Sequence, residues 1–164
     1  MFGSSLNWYI QKGCYKSQTD GSFFKSQLYI SAENRIYNKL ATSDKLLYDD
    51  ASYSNNPILS SKLHKNAATI LGYQCDELIL NTKAGTQRYY FTHQLRIDGK
   101  LYQKHKYGNW SDYLGQSNAV PLKMIIEMPQ MVMVSVASKI KPMKLNPEIF
   151  TLPNGAQVAK NPNR

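Results

Sequence analysis

Two apolar runs separated by only Pro129 and Gln130 limit what this chain can fold into. The first run covers Leu122–Met128 and the second covers Met131–Ile140. Runs of strand length joined by a short break that contains proline are typical of an antiparallel β-hairpin. The segment Val120–Lys141 therefore predicts a hairpin around which the rest of the fold is built.

Apolar residues lie on both faces of this predicted hairpin. Side chains alternate between the two faces of a strand, so Val132, Val134 and Val136 point one way while Met131 and Met133 point the other. A sheet with one face in water alternates cleanly between apolar and polar residues. The pattern therefore indicates a core on one face and a helix, a cavity or a partner on the other.

Strand signals recur along the rest of the chain and predict a mainly β fold. A second hairpin is predicted from Ala67–Leu80 and Thr86–Leu95, with Gly72 as a candidate bulge in its first strand. Shorter strands are predicted at Asn7–Gln11, Phe23–Ile30, Arg35–Leu40 and Lys45–Asp49, with turn-rich connections at Lys12–Gly21 and Asp49–Pro57.

Helix signals are few and short. Asp98–Gly115 breaks the strand rhythm, and Leu101, Tyr102 and His105 fit one side of a short helix. Asn146 followed by Pro147 is an N-cap signal that predicts one helical turn at Pro147–Phe150.

The length of 164 residues fits one domain with its own core. We expect this domain to cover residues 1–153 and the Asn-rich residues 154–164 to form a flexible tail. The apolar runs are shorter than the roughly 20 residues of a membrane-spanning helix. The N-terminus carries no export signal and enters a strand-like pattern at Leu6, which favours a form that lacks its leader.

The formal net charge of +9 fits nucleic acid, an anionic membrane surface or an ordinary solvated surface. The excess is spread over the chain, which favours the solvated surface. One segment interleaves cations with rings, as a surface for single-stranded nucleic acid does: Lys83, Arg88, Tyr89, Tyr90, Arg96, Lys100, Tyr102, Lys104, Lys106 and Tyr107. A cross-strand aromatic ladder explains these tyrosines better, so we expect no nucleic-acid partner.

No catalytic, metal or cofactor motif is present in the sequence. The histidines are scattered, and the adjacent acids Asp76 and Glu77 point to opposite faces of a strand. Cys14 and Cys75 fit either one disulfide in an oxidising compartment or two separate thiols. We therefore expect a protein that is not an enzyme and that holds neither metal nor cofactor.

The methionines point to one candidate site. Five of the six lie between Met124 and Met143, and flexible Met side chains recur at surfaces that accept apolar partners of variable shape. The alternative is an ordinary core with Met as filler. The candidate ligand-binding residues are Met124, Ile126, Met128, Met131 and Met133.

The order of motifs from Ala67 to Pro153 resembles uncharacterised Gram-negative cell-envelope proteins. Gly72-Tyr73 with Cys75, Pro121-Leu122 with Ile125-Ile126, and a closing Phe150-Thr151-Leu152-Pro153 carry the resemblance. These proteins are similar to the LolA/LolB lipoprotein-sorting proteins and, more distantly, to the GLPGLI family. The resemblance implies a curved antiparallel sheet that forms an open half-barrel with few short helices and a concave apolar face.

The expected function is therefore a non-enzymatic binding protein of the periplasm or outer membrane, with a lipid or lipoprotein as partner. Two alternatives stay open: a basic, Tyr-rich domain that binds single-stranded nucleic acid, and a structural or interaction module without a ligand. The sequence does not predict the oligomeric state.

Overall fold

The computed structural model of the protein describes residues 3–162. Residues 1 and 2 of the predicted domain and residues 163 and 164 of the predicted tail lie outside the described residues. Strands dominate. They are β1 (Leu6–Gln11), β2 (Cys14–Thr19), β3 (Phe24–Ile30), β4 (Arg35–Leu40), β5 (Leu46–Asp50), β6 (Ile58–Ile70), β7 (Tyr73–Thr82), β8 (Gly85–Arg96), β9 (Ala119–Met128), β10 (Met131–Val136) and β11 (Val158–Lys160). Helix α1 spans Trp110–Ser117, and 3₁₀ turns lie at Gly99–Tyr102, Tyr107–Asn109 and Pro147–Phe150.

The strands divide into two sheets. One has the order β1-β2-β3-β4-β5-β11 and the other the order β10-β9-β8-β7-β6. The mainly β class with antiparallel sheets and few short helices is confirmed. The curved half-barrel stays a prediction. No helix among residues 3–162 is long and apolar enough to cross a membrane.

The chain forms two compact units. The first unit comprises Met1–Ser52 and Met143–Arg164, and the second comprises Tyr53–Pro142. The first unit is therefore discontinuous in sequence, because the residues of the second unit separate its two segments along the chain.

The core of the first unit joins its sheet to the C-terminal part of the chain. Leu28 and Tyr37 share one face of the sheet, since they are paired between β3 and β4, and they pack with Leu145 and Phe150. The Gln11 side chain holds Leu145 by accepting from its backbone N at 2.8 Å and donating to its backbone O at 3.2 Å. The C-terminal part thus covers one face of this sheet.

Three residues of the predicted tail, Val158–Lys160, form an edge strand. Strand β11 pairs parallel with β5, and Asn161 Nδ2 donates to Asp49 Oδ1 at 3.0 Å. This short strand escapes detection because Val158–Lys160 is only three residues long. The flexible tail at residues 154–164 stays a prediction.

Two tight turns correct the predicted strand boundaries. Leu71 and Gly72 have φ of 51° and 80° and form the two-residue turn between β6 and β7, with Ile70 paired to Tyr73. Gly72 is thus part of a hairpin turn and not a bulge inside one strand, and two left-handed residues are what such a turn requires. Lys12 and Gly13, with φ of 49° and 79°, make the same kind of turn between β1 and β2.

The second unit packs helix α1 against its five-stranded sheet. Tyr113 is fully buried, and its ring stacks on Tyr89 of β8 with centroids 4.3 Å apart. Its hydroxyl donates to the backbone O of Ala119 at 2.9 Å, at the start of β9. Leu78 and Leu80 of β7 are also buried. The helix and these strands form the core that supports the hairpin β9–β10.

The predicted helical regions contain helices, with different bounds. The turn at Pro147–Phe150 is confirmed, and Asn146 caps it by accepting from the backbone N of Glu148 at 3.1 Å. Within Asp98–Gly115, Tyr102 is buried and Leu101 is 49% exposed, and the buried His105 lies outside the helices, so the three residues do not share one side of a helix.

Candidate functional site

All five predicted ligand-binding residues lie on one face of the β9–β10 hairpin, which we call the Met face. Met128 is paired with Met131 and Ile126 with Met133, while Met124 is paired with Ser135. Residues directly opposite each other in an antiparallel pair have side chains on the same side of the sheet. The Met face is thus an apolar strip two strands wide.

The Met face continues the core of the second unit toward the tip of the hairpin. Met124 and Ile126 are paired with Tyr89 and Gln87 of β8, both of which are buried. Helix α1 covers the Tyr89 end, where Tyr113 stacks. Nearer the tip the Met-face side chains are half-buried, and Met128 is 38% exposed. Part of this apolar strip is therefore accessible to a ligand.

The opposite side of β10 carries a second apolar row, which we call the valine edge. Val132, Val134 and Val136 are 61%, 58% and 55% exposed. Monomeric proteins usually keep such contiguous apolar groups out of water. The two-faced apolar pattern predicted for this strand is present, and the valine side is the more exposed of the two.

The two best-formed pockets of the described residues lie away from the Met face. One, of about 420 Å³, lies between Lys65, Asp76 and His93. The other, of about 390 Å³, lies between Arg96 and Asn118. The candidate site is therefore an open surface strip, and the predicted concavity stays a prediction.

Of the two alternatives left open for Cys14 and Cys75, the described residues contain no disulfide. Cys14 lies half-buried in β2 with its sulfur 3.7 Å from Ser31 Oγ, and Cys75 is fully buried in β7, where it donates to the backbone O of Tyr73. Burial raises the pKa of the Cys75 thiol. The structure thus contains two separate thiols.

A buried carboxylate, Glu77 of β7, lies on the face of the five-stranded sheet opposite the Met face. Glu77 accepts from the Tyr90 hydroxyl at 2.7 Å, and it lies 3.0 Å from His64 Nδ1 and 3.4 Å from Arg88 Nη1. Lys123 lies over the Tyr90 ring, 5.1 Å from its centroid. Burial raises the pKa of Glu77, but the Tyr90 and His64 hydrogen bonds and the Arg88 charge outweigh burial and lower it overall.

The neighbouring acid Asp76 makes a separate cluster, as its opposite orientation predicts. It lies 2.8 Å from Lys65 Nζ and 3.7 Å from His93 Nε2. Within residues 3–162 the His, Cys, Asp and Glu side chains form no group arranged to hold a metal ion. The Glu77 cluster was not predicted, because its members are far apart in the sequence.

The Glu77 cluster predicts an acid-dependent loss of stability. A carboxyl whose folded pKa lies below its ordinary value of 4.5 stabilises the fold above pH 4.5 and loses this contribution as pH falls through the lowered pKa. Glu77→Gln should therefore be less stable than the unchanged protein at pH 7 and should lose less stability between pH 5 and pH 3. Urea unfolding between pH 5 and pH 3 measures the free energy of unfolding of each protein.

Glu127→Gln, on β9 and outside the cluster, is the control and should lose as much stability as the unchanged protein. An equal loss in Glu77→Gln and in the unchanged protein would contradict the stabilising role of the Glu77 carboxylate.

Burial argues against the alternative of a nucleic-acid surface. Tyr89 is 3% exposed and Tyr102 is 1% exposed, so neither ring is available to stack on a base. Tyr90 is engaged by Glu77 and Lys123. Two of the four tyrosines in this segment are therefore core residues.

These features define a mainly β protein with an open apolar hairpin at the edge of one sheet. Comparison with protein-family models, with curated proteins and with solved structures finds no match for the chain.

Proposed function

We propose that this is a non-enzymatic binding protein that holds an apolar chain, the acyl chain of a lipid or of a lipidated partner, on the Met face. The observation that carries the proposal is the strand register, which collects Met124, Ile126, Met128, Met131 and Met133 on one side of the hairpin. The resemblance to lipoprotein-sorting proteins adds the cell envelope as the proposed location.

The side chains of the Met face suit such a ligand. Methionine is unbranched and polarizable, so it adapts to a flexible chain of methylene groups. Each buried CH₂ contributes about 0.8 kcal/mol, and about eight of them in contact give about 6 kcal/mol. Such a contribution corresponds to a Kd between millimolar and micromolar. An open strip of this kind can therefore hold one acyl chain reversibly.

The Met face can be tested by placing charge on it. Met131→Asp combined with Met133→Asp should weaken binding of dansyl-labelled palmitic acid at least tenfold, because ionised carboxylates would then lie against the acyl chain. Fluorescence titration measures the Kd, and circular dichroism checks that the sheet is retained.

The other edge of the sheet provides the control. Leu59→Asp combined with Leu63→Asp introduces the same charges on β6, at leucines that are 72% and 46% exposed, and should leave the Kd unchanged. Equal affinity for the probe in the unchanged protein and in the Met-face variant would refute the proposal. Native mass spectrometry before and after organic extraction then identifies any lipid that co-purifies.

A further inference from the structure

The backbone of β10 is available for pairing along its outer side. Ala137 N donates to Leu122 O at 2.7 Å, just beyond the last paired residues of the hairpin. Hydrogen-bonded and non-hydrogen-bonded pairs alternate in an antiparallel ladder. Met131, Met133 and Ser135 therefore bond to β9, while the N–H and C=O groups of the valine edge point away from it. Among the described strands β10 is the last of its sheet.

The two edge strands of this sheet differ in their protection. Natural edge strands avoid unwanted pairing with charged side chains and bulges. Strand β6, at the other edge, has both, since it carries Lys62 and Lys65 and its register shifts twice. Strand β10 has neither: its register with β9 is regular and no residue from Met128 to Ser138 is charged. The β10 edge thus lacks both features that would prevent it from pairing with another strand.

We infer that β10 pairs antiparallel with β10 of a second copy of the chain, about a two-fold axis at Val134. In this register Val132 lies opposite Val136 of the second copy, and the two Val134 residues face each other. On the other side of the sheet, Met133 lies opposite Ser135 of the second copy. The two five-stranded sheets become one sheet of ten strands.

Self-complementarity and charge favour a second copy as the occupant. A two-fold interface must match its own surface, and every opposed pair within Gln130–Ser138 is uncharged. Two copies of a chain with a net charge of +9 repel each other, so they approach best along an uncharged segment. The first flanking cation, Lys139, lies opposite Pro129 of the second copy, at the end of the paired segment. No like charges meet along the paired strands.

Register-specific cross-linking tests this pairing. The Cα atoms of the two Val134 residues would be about 5.5 Å apart, which is within the range that a disulfide spans. Val134→Cys should therefore form a covalent dimer under mild oxidation. Val132→Cys should not, because the Cα atoms of the two substituted residues would be about 14 Å apart. The unchanged chain, with Cys14 and Cys75, provides the background.

Sedimentation equilibrium measures the reversible dimerisation of the protein without a cross-link. The unchanged protein should dimerise, and Val134→Lys should weaken the dimer at least tenfold, because it places two like charges opposite each other. Leu63→Lys, at a 46% exposed leucine on β6, is the matched control and should leave the dimer unchanged. A monomer at about 100 μM, which is far above the micromolar Kd of a moderate interface, would overturn the inference.

Two further results would also overturn it. Cross-linking of both cysteine variants would show a parallel or shifted pairing. A dimer that Leu63→Lys disrupts and Val134→Lys leaves intact would place the interface at the β6 edge. Neither result bears on lipid binding, because the palmitic-acid titration reads out the Met face separately.

Discussion

Tyr113→Ala is expected to lower the free energy of unfolding of the second unit by about 4 kcal/mol, as large-to-small changes at buried aromatic residues do. Tyr113 is fully buried, stacks on Tyr89 at 4.3 Å and meets the edge of Phe91 at 6.0 Å. Alanine would leave a cavity between helix α1 and β8. It would also remove the hydrogen bond that the Tyr113 hydroxyl donates to Ala119 O.

Guanidinium unfolding followed by tryptophan fluorescence measures this loss. The chain has two tryptophans, and Trp8→Phe leaves Trp110 of helix α1 as the reporter of the second unit. Tyr113→Phe keeps the ring and should cost only about 1 kcal/mol, for the lost hydrogen bond. Tyr53→Ala removes a tyrosine that is 44% exposed and should change little. A loss for Tyr113→Ala no larger than that for Tyr53→Ala would show that the helix does not pack as described.

Acid should destabilise the second unit through His105 by about 3 kcal/mol between pH 6.5 and pH 4. His105 is 1% exposed next to Trp110, with ring centroids 6.5 Å apart. Burial lowers its pKa from 6.5 to about 4. The unfolded chain therefore binds a proton at His105 below pH 6.5, whereas the folded chain binds it only near pH 4. The stability that neutral His105 contributes is fully present above pH 6.5 and is lost progressively as the pH falls toward 4.

Replacing the imidazole isolates this effect. His105→Phe should flatten the dependence of the unfolding free energy on pH between 6.5 and 4, whatever its stability at pH 7. His93→Phe is the control, because the His93 side chain is 56% exposed and close to Asp76. If His105→Phe and the unchanged protein showed the same slope, the imidazole would not be buried in its neutral form.

The hairpin β9–β10 was predictable because its signals are local. Two apolar runs around Pro129-Gln130 define both strands, and the two-residue period of a strand brings the candidate side chains to one face. The turn at Pro147–Phe150 follows in the same way from Asn146-Pro147. Strand β2 was missed because its sequence, CYKSQT, has no apolar alternation and β1 precedes it by only two residues.

The rest depends on contacts that sequence patterns do not contain. Glu77, His64 and Tyr90 come from three strands, so their cluster follows from the pairing of β6, β7 and β8. The packing of Tyr113 on Tyr89 likewise requires helix α1 to be placed on the sheet. The core of the first unit also depends on contacts between distant parts of the chain, because Leu145 and Phe150 follow the whole of the second unit in sequence.

This discontinuity sets an order of events during translation. The second unit, Tyr53–Pro142, is synthesised completely before Leu145 and Phe150 leave the ribosome, whereas β1 to β5 emerge first without the segment that covers their core. Domains generally fold as their sequence becomes available. The sheet β1–β5 is therefore made before the second unit but completes its core after it, and premature termination before Leu145 would deprive this sheet of its cover while sparing the hairpin β9–β10.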